Sequence, residues 1–147
     1  MIRLVPAERQ DEPLILHWRN QPDAYAWAAQ PRPVTPEEHA AWFRDHALDP
    51  TRCRLSLITL PVGWVRLDRM NGANQHGYAA AEVSLYVEPK HREHGYAGAA
   101  LEQALDDIAA TWARVRTDNP TAARFFERHG FAKVLTADGV MHYRRGR

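Results

Sequence analysis

The sequence has few of the features that mark several large classes of protein. It has a single cysteine, Cys53, among 147 residues, so it can form no internal disulfide, which fits a reducing compartment. The formal net charge is only +1, which gives no general attraction to nucleic acid or to an anionic membrane. It also lacks a run of about 20 apolar residues and a signal-peptide pattern. These absences predict a cytoplasmic protein with no nucleic-acid or membrane partner.

Length and composition are those of one globular domain. Hydrophobic residues make up 45% of the chain and charged residues 25%, which is ordinary for a folded protein with one core. We find no internal repeat and no low-complexity linker. We therefore expect a single domain over residues 1–147, acting as a monomer or a homodimer.

Hydrophobic periodicity and turn residues divide the chain into strands and helices. The clearest start signal is the capping box Thr35-Pro-Glu-Glu38, with proline at the first helical position. The predicted elements are strand Ile2–Val5, helices Asp11–Arg19 and Thr35–Ala47, strands Arg54–Leu60, Val62–Met70 and Tyr78–Val87, helix Tyr96–Trp112, strand Ala113–Thr117, helix Pro120–His129, and a hairpin of Phe131–Leu135 with Val140–Arg144.

The order of these elements, β-αα-βββ-α-β-α-ββ, predicts the sheet. Strands joined by short turns pair antiparallel, whereas the helix after Val87 implies a parallel crossover to the next strand. We therefore expect an α/β (α+β) fold with a mixed, mostly antiparallel sheet of about seven strands. That sheet should splay where residues 83–87 part from residues 113–117.

The segment from Val83 to Leu101 has the composition of a phosphate site. An apolar strand and a proline lead into the loop Arg92-Glu-His-Gly-Tyr-Ala97, and a helix follows at once. The free N–H groups of a helix's first turn lie at the positive end of its dipole, where anions bind well. Small residues at 95, 97 and 98 would let a phosphate approach the backbone. The spacing is neither that of a P-loop nor G-x-G-x-x-G, so this loop alone does not identify a ligand.

A second motif follows, Asn119-Pro-Thr-Ala-Ala-Arg-Phe-Phe-Glu-Arg-His-Gly-Phe131. Together the two resemble the core motifs of the GNAT superfamily of acyl-CoA-dependent N-acetyltransferases, namely Arg/Gln-x-x-Gly-x-Gly/Ala and Asn-x-x-Ala-x-x-Phe-Tyr-x-x-x-Gly-Phe. The resemblance is most specific over residues 80–135. It implies a GNAT fold, acetyl-CoA as acyl donor, and direct transfer to an amine without an acyl-enzyme.

The resemblance also implies roles for individual residues. Loop N–H groups would bind pyrophosphate with added charge from Arg92, the strand would present its backbone to pantetheine, and an N–H near Tyr86 or Val87 would polarise the thioester. Glu82 lies where several members carry a general base that acts directly or through a water. Asn119 would contact CoA, although a helix N-cap explains it equally well. The implied cofactor-binding residues are Leu85, Tyr86, Val87, Arg92, His94, Gly95, Tyr96, Ala97, Gly98, Asn119 and Phe126.

Two positions depart from the family pattern. Glu93 stands where glycine is usual, which puts a negative charge near the pyrophosphate. Phe126 stands where many members have a tyrosine that protonates the departing thiolate. Tyr86 or an ordered water could replace that acid, so Tyr86 is the second candidate catalytic residue beside Glu82.

The N-terminal half is the expected acceptor side. Trp18-Arg19-Asn20, the segment Thr35–Phe43 and Pro61-Val-Gly-Trp64 resemble a GNAT branch that acetylates amino-sugar nucleotides of pseudaminic-acid-type pathways. Aromatic rings could stack on a base, and an arginine could bind phosphate. The candidate substrate-binding residues are Trp18, Arg19, Asn20, His39, Trp42 and Trp64.

Other interpretations remain open for these residues. Tryptophans at helical spacing also suit a core, and Glu38 is explained by the capping box. The acceptor could instead be a protein N-terminus or a small polyamine or antibiotic amine, and a non-catalytic CoA-binding domain is a further alternative. His91 and His94 are three residues apart with no evident third ligand, so we predict no metal site.

Overall fold

The computed structural model describes residues 2–70 and 80–146 of the chain. The strands are β1 (Arg3–Pro6), β2 (Cys53–Thr59), β3 (Gly63–Arg69), β4 (Ala80–Val87), β5 (Ala110–Arg116), β6 (Ala132–Ala137) and β7 (Val140–Gly146). The helices are α1 (Glu12–Arg19), α2 (Pro22–Tyr25), α3 (Pro36–Trp42), α4 (Tyr96–Ala104) and α5 (Pro120–Arg128). The predicted turn at 71–77 and the first two residues of the strand predicted at 78–87 lie outside the described residues.

All seven strands form one sheet in the order β1-β2-β3-β4-β5-β7-β6. The β4–β5 pair is parallel, and the other neighbouring pairs are antiparallel. The parallel pairing joins Ala80 to Ala110, Ala81 to Thr111 and Glu82 to Trp112, and it continues no further although both strands do. The predicted mixed sheet and its splay are therefore confirmed.

Alternating side chains give the sheet two apolar faces, each covered by different helices. On the α4 face, buried strand residues such as Val65, Val83 and Ala113 pack with Leu101 of α4 and Phe126 of α5. On the α1 face, a second core joins strands β2 and β4 to the N-terminal helices. Its buried members are Ile15, Trp18, Phe43, Ala47, Cys53, Leu55, Leu57 and Tyr86.

The helix predicted over 96–112 is wrong in its second half. Helix α4 ends at Ala104, and β5 already begins at Ala110. Leu105 and Ile108 are buried as the helical spacing required, but a turn rather than a helix places them in the core. The alternation of buried Thr111, Ala113 and Val115 is the strand signal that the helical interpretation overlooked.

Local signals explain the N-terminal helices. The capping box at Thr35 forms as predicted, since Thr35 Oγ1 accepts from the Glu38 N–H at 3.1 Å and Glu38 Oε1 accepts from the Thr35 N–H at 3.0 Å. The helix predicted to reach Ala47 is α-helical only to Trp42, and its last turn, Phe43–Ala47, is a π-helix. Helix α2 was not predicted, because it has only four residues.

Gly63 of β3 allows the close approach of β3 to β4. A Cβ atom at this position would lie 1.9 Å from the carbonyl oxygen of Tyr86, which is backbone and cannot move independently of the strand. We predict that Gly63→Ala lowers the free energy of unfolding by about 2 kcal/mol or more, measured by urea denaturation.

Gly139→Ala is the matched control for Gly63→Ala. Gly139 has φ of +76°, and a Cβ there would meet no described atom within 4 Å. The loss of unfolding free energy in Gly139→Ala should come from backbone conformation alone and amount to about 1 kcal/mol. Equal losses in the two variants would contradict the proposed clash.

Candidate active site

The loop before α4 has the backbone geometry of an anion site. Glu93 and Gly95 have φ of 66° and 78°, and this turns the chain into α4, a helix of nine residues. Within the described residues, no side chain caps the N-terminus of α4, and a Cβ at Gly95 would meet nothing within 4 Å. The first-turn N–H groups therefore face open space at the positive end of the helix dipole, as a pyrophosphate would require.

Several residues expected to bind pyrophosphate have side chains, or positions, that serve packing. Gly98 faces the adjacent α5 end, where a Cβ would lie 2.9 Å from the His129 ring, so its small size serves helix packing. The His94 ring is exposed, with its centroid 5.6 Å from that of Tyr96. Tyr96 and Ala97 pack against the apolar cluster that includes Val87. The side chains of Tyr96 and Ala97 are therefore used in packing, whereas the His94 ring is open to solvent.

Arg92 is held by the protein itself. Its Nε donates to the Val87 carbonyl at 2.8 Å, and its Nη2 forms an ion pair with Asp23 of α2. The guanidinium also lies 5.5 Å from the centre of the Tyr86 ring. The guanidinium of Arg92, which we predicted to bind pyrophosphate, is therefore paired with the carboxylate of Asp23.

Tyr86 completes this group. Its hydroxyl lies 3.3 Å from both carboxylate oxygens of Asp23 and donates to them. Burial, followed by the negative charge of Asp23, raises the pKa of Tyr86 to about 12. The phenol is therefore protonated at neutral pH, and it is a weaker acid than an ordinary tyrosine.

Glu82 lies where β4 and β5 last pair, at the base of the splay. Its Oε1 accepts from Arg114 of β5, at 3.0 Å from Nε and 2.9 Å from Nη2. No local pattern predicted this ion pair, because the two residues are 32 positions apart. The candidate base thus has a guanidinium as its neighbour.

The second motif forms the start and the buried side of α5. Asn119 Oδ1 accepts from the Ala122 N–H at 3.2 Å, so the N-cap role is present. Phe126 is buried in the main core, with its ring 5.2 Å from Phe125 and 5.1 Å from Phe131. Leu85 packs against the same core.

A cavity of about 270 Å³ lies on the α1 face. It is bounded by α1, α3 and the two strands β2 and β3. Its lining residues are Ile15, Arg19, Val34, Glu38, His39, Trp42, Leu55, Trp64 and Arg66. Four of the six predicted substrate-binding residues are among them, namely Arg19, His39, Trp42 and Trp64.

The other two predicted substrate-binding residues have structural roles. Trp18 is only 1% exposed and packs in the α1-face core beside Tyr86, with ring centroids 6.4 Å apart. The Asn20 side chain bonds the backbone of Val34 twice, donating to the carbonyl at 2.9 Å and accepting from the N–H at 2.8 Å. The sequence could not separate these positions from ligand contacts, because aromatic and amide side chains serve both purposes.

Arg66 is the cavity residue that sequence analysis missed. Its guanidinium lies between two indoles, 5.2 Å from the Trp42 ring and 5.6 Å from the Trp64 ring, and its Nε donates to Asp68 at 2.8 Å. The signal was present, since Arg66 follows Trp64 by two positions on the same face of β3. Arg19 donates to the carbonyls of Arg32 and Gln30, and burial followed by the charges of Arg66 and Arg32 lowers its pKa.

Hydrogen-bonded polar side chains, of which His39 is buried, hold the cavity wall in place. His39 lies 2.9 Å through Nδ1 from Glu12 Oε1, and His46 lies 2.7 Å through Nε2 from Asp68. Among the described residues, His46, Cys53 and Asp68 come closest to a metal-ligand set, with their ligand atoms within 4.8 Å of one another. Because the Arg66 guanidinium would lie beside any cation there, we interpret this group as a hydrogen-bonded anchor for Arg66.

Comparisons with known proteins agree with this geometry. Two parallel strands that diverge beside a helix N-terminus leave backbone groups of the strands and of the helix available to a ligand. Residues 2–132 match the family of the acetyltransferase (GNAT) domain. The chain therefore belongs to the GNAT acetyltransferase family, and the prediction of an N-acetyltransferase is confirmed at that level, though the branch is not.

Individual relatives show the same fold. A Bacillus subtilis protein provisionally named a phosphinothricin acetyltransferase is 28% identical over 122 residues, covering 76% of this chain and 72% of its own. An acetyltransferase structure from Thermus thermophilus is 25% identical, with a TM-score of 0.80 and coverage of 100% and 97%. Spermidine N-acetyltransferase from Vibrio cholerae, bound to CoA and spermine, is 20% identical, with a TM-score of 0.79 and coverage of 99% and 95%. None of the described helices is long and apolar enough to cross a membrane.

Cys53 provides a test of the anchor beneath the cavity. Burial, followed by the charge of Asp68, raises the pKa of Cys53 to about 12. We predict that iodoacetamide alkylates the native protein at pH 8 far more slowly than the urea-unfolded chain, measured by mass spectrometry, since a free thiol has a pKa of about 8.5. The pKa of the Cys53 thiol is higher in the folded chain than in the unfolded chain. The contribution of the buried thiol to stability is therefore complete below about pH 8.5 and is lost as pH rises toward 12. Equal alkylation rates in the native and unfolded protein would contradict the buried, protonated state of Cys53.

Proposed function

We propose that the chain transfers an acetyl group from acetyl-CoA directly to a primary amine. The observation that carries this proposal is the splay of β4 from β5 directly beside the uncapped N-terminus of α4. A gap between strands offers unpaired backbone groups to pantetheine amides, and the helix N-terminus suits the pyrophosphate. Two GNAT structures of the same fold contain CoA or acetyl-CoA.

The chain's own residues fit the parts of acetyl-CoA. Backbone N–H groups from His94 to Gly98 would hold the pyrophosphate, and the edge of β4 from Leu85 to Val87 would face the pantetheine. Asn119 and Phe126 would border the cofactor from α5. When bound, acetyl-CoA supplies the thioester that is cleaved.

The proposed chemistry needs one base and one acid. The amine forms a C–N bond to the acetyl carbon as the C–S bond breaks, so the amine proton passes to a base and the thiolate takes up a proton. Glu82, at the base of the splay, is our candidate base, directly or through a water. Tyr86 is our candidate acid, because it lies on the diverging part of β4 and Phe126 has no hydroxyl to supply.

The charge of the cavity favours an acceptor with an anionic group. Arg19 and Arg66 bring two guanidinium groups to the wall. Its carboxylate, Glu38, is bound by Arg32, which with the Thr35 backbone lowers the pKa of Glu38 to about 2. The buried indole N–H of Trp64 has no partner among the described residues, so a ligand oxygen could satisfy it. Two tryptophan rings add surfaces for a flat ring.

An amino-sugar nucleotide combines these features, having an amine, phosphates and a base. A small amino acid with a second anionic group also suits the two arginines, and the relationship to the Bacillus subtilis protein supports it as the second candidate. A polyamine is less favoured, because it would bring like charge to both guanidinium groups.

The direct test is calorimetric titration of acetyl-CoA, followed by assay of CoA release with a UDP-linked amino sugar, phosphinothricin and spermidine. Micromolar binding and release that depends on an anionic amine would support the proposal. Absence of binding at millimolar acetyl-CoA would refute it.

Glu93 allows a sharper prediction about the loop. Its φ of 66° strains a residue with a side chain, and its carboxylate lies in the proposed pyrophosphate loop. We predict that Glu93→Gly binds acetyl-CoA several-fold more tightly and is about 1 kcal/mol more stable, because it removes both strain and like charge. Glu93→Ala should tighten binding without the gain in stability. If neither variant alters affinity, the pyrophosphate does not lie at this loop.

Arg66 tests the acceptor assignment. We predict that Arg66→Met raises the KM for a UDP-linked amino sugar by about 10- to 100-fold, because a charged hydrogen bond contributes about 1.5–3 kcal/mol. Calorimetric affinity for acetyl-CoA should stay the same. Arg44→Met removes an equivalent arginine, paired with Asp45 outside the cavity, and should change neither quantity. An unchanged KM in Arg66→Met would exclude the cavity as the anion site.

A further inference from the structure

A short segment around α2 joins the two strands that diverge. On one side, Asp23 contacts Tyr86 of β4 and Arg92 of the loop before α4. On the other side, the carbonyl of Ala26 accepts from Arg116 of β5 at 3.2 Å, and the Arg116 guanidinium lies 5.9 Å from the centre of the Trp27 ring. Residues 23–27 therefore connect both sides of the gap in which we place the thioester.

The Asp23 carboxylate is accessible at this position. Its side chain is 33% exposed even though it bonds Tyr86 and Arg92. A carboxylate has about four lone-pair sites, and these two partners leave capacity for a further donor. A negative group with spare capacity beside the reacting atoms is suited to a cation.

We propose that Asp23 binds the ammonium group of the acceptor and so places the amine beside the thioester. This inference rests on the proposed function and adds the residue that recognises the amine. The proton released before attack passes to the base of the transfer reaction, and Asp23 forms no covalent bond.

Arg92 is the cation that is paired with this carboxylate. The pyrophosphate of acetyl-CoA carries negative charge and competes with Asp23 for the Arg92 guanidinium. When Arg92 moves to the phosphate, Asp23 keeps its hydrogen bond from Tyr86 but loses the positive charge of Arg92. The ammonium group of the acceptor then takes the place of that guanidinium. The order of binding follows: acetyl-CoA binds first and the amine second.

The first experiment compares acceptors of different charge in Asp23→Asn. With a UDP-linked amino sugar or phosphinothricin, whose amines are cationic, KM should rise about 10- to 100-fold, as the loss of a charged hydrogen bond requires. With hydroxylamine, which is largely neutral at pH 7.5, KM should stay within about twofold. Asp23→Glu should recover most of the loss, and Asp45→Asn, which removes the carboxylate of the Arg44 pair, should have no effect.

Failure of this inference is distinct from failure of the proposed function. If the wild type binds no acetyl-CoA or releases no CoA with any amine, the proposed function fails. If the wild type is active and Asp23→Asn raises KM equally for cationic and neutral amines, or for neither, Asp23 does not bind the ammonium.

The second experiment tests the order of binding. Calorimetry with the UDP-linked amino sugar should detect no binding to the free wild type and clear binding in the presence of CoA, which cannot react. Arg92→Gln should bind the same compound without CoA, since Asp23 is then uncompensated. Equal affinity of the wild type with and without CoA would overturn the role given to Arg92.

Discussion

The parting of β4 from β5 after the Glu82–Trp112 pair is the constraint on which the rest of the site depends. Because each strand continues past this point without the other, backbone groups that a sheet would use become available to a ligand. The same divergence opens in front of the uncapped N-terminus of α4. Ion pairs between elements distant in sequence border this gap: Glu82 with Arg114 joins the two strands at its base, and Asp23 with Arg92 holds α2 against the β4 side.

In the proposed function, the two faces of the sheet divide the contacts between cofactor and acceptor. The α4 face is built from apolar side chains of α4 and α5, and the proposed cofactor contacts there are largely backbone contacts. The α1 face mixes an apolar core with a cavity whose wall contains arginines held by carboxylates and carbonyls. Backbone contacts do not depend on the identity of a side chain, whereas contacts in the cavity depend on which side chains line it. This division explains why the cofactor loop could be recognised from a family motif, whereas the ligand preference of the cavity has to be inferred from the residues that line it.

The sequence predicted the fold well because strand order followed from local signals. Turn residues and alternation located all seven strands, and the capping box at Thr35 formed as expected. The prediction failed where one apolar spacing had two solutions: Leu105 and Ile108 fit a helix, yet a turn buries them equally well. In the site, four cavity residues were found from aromatic and charged types, while Asp23 and Arg66 were missed. Asp23 matters through Arg92, a partner far along the chain that no local pattern records, whereas Arg66 had a local signal in Trp64, two positions earlier on the same strand.

Phe126 illustrates how a departure from a motif can be tolerated by the rest of the site. Its ring packs edge-on in the main core, so the position contributes to stability whether or not it carries a hydroxyl. The Tyr86 hydroxyl lies on the opposite face of the sheet from Phe126 and belongs to a different motif position. Tyr86 nonetheless lies on a diverging strand, and both burial and Asp23 keep it protonated. In the proposed reaction Tyr86 would therefore supply, from β4, the hydroxyl that the α5 position lacks.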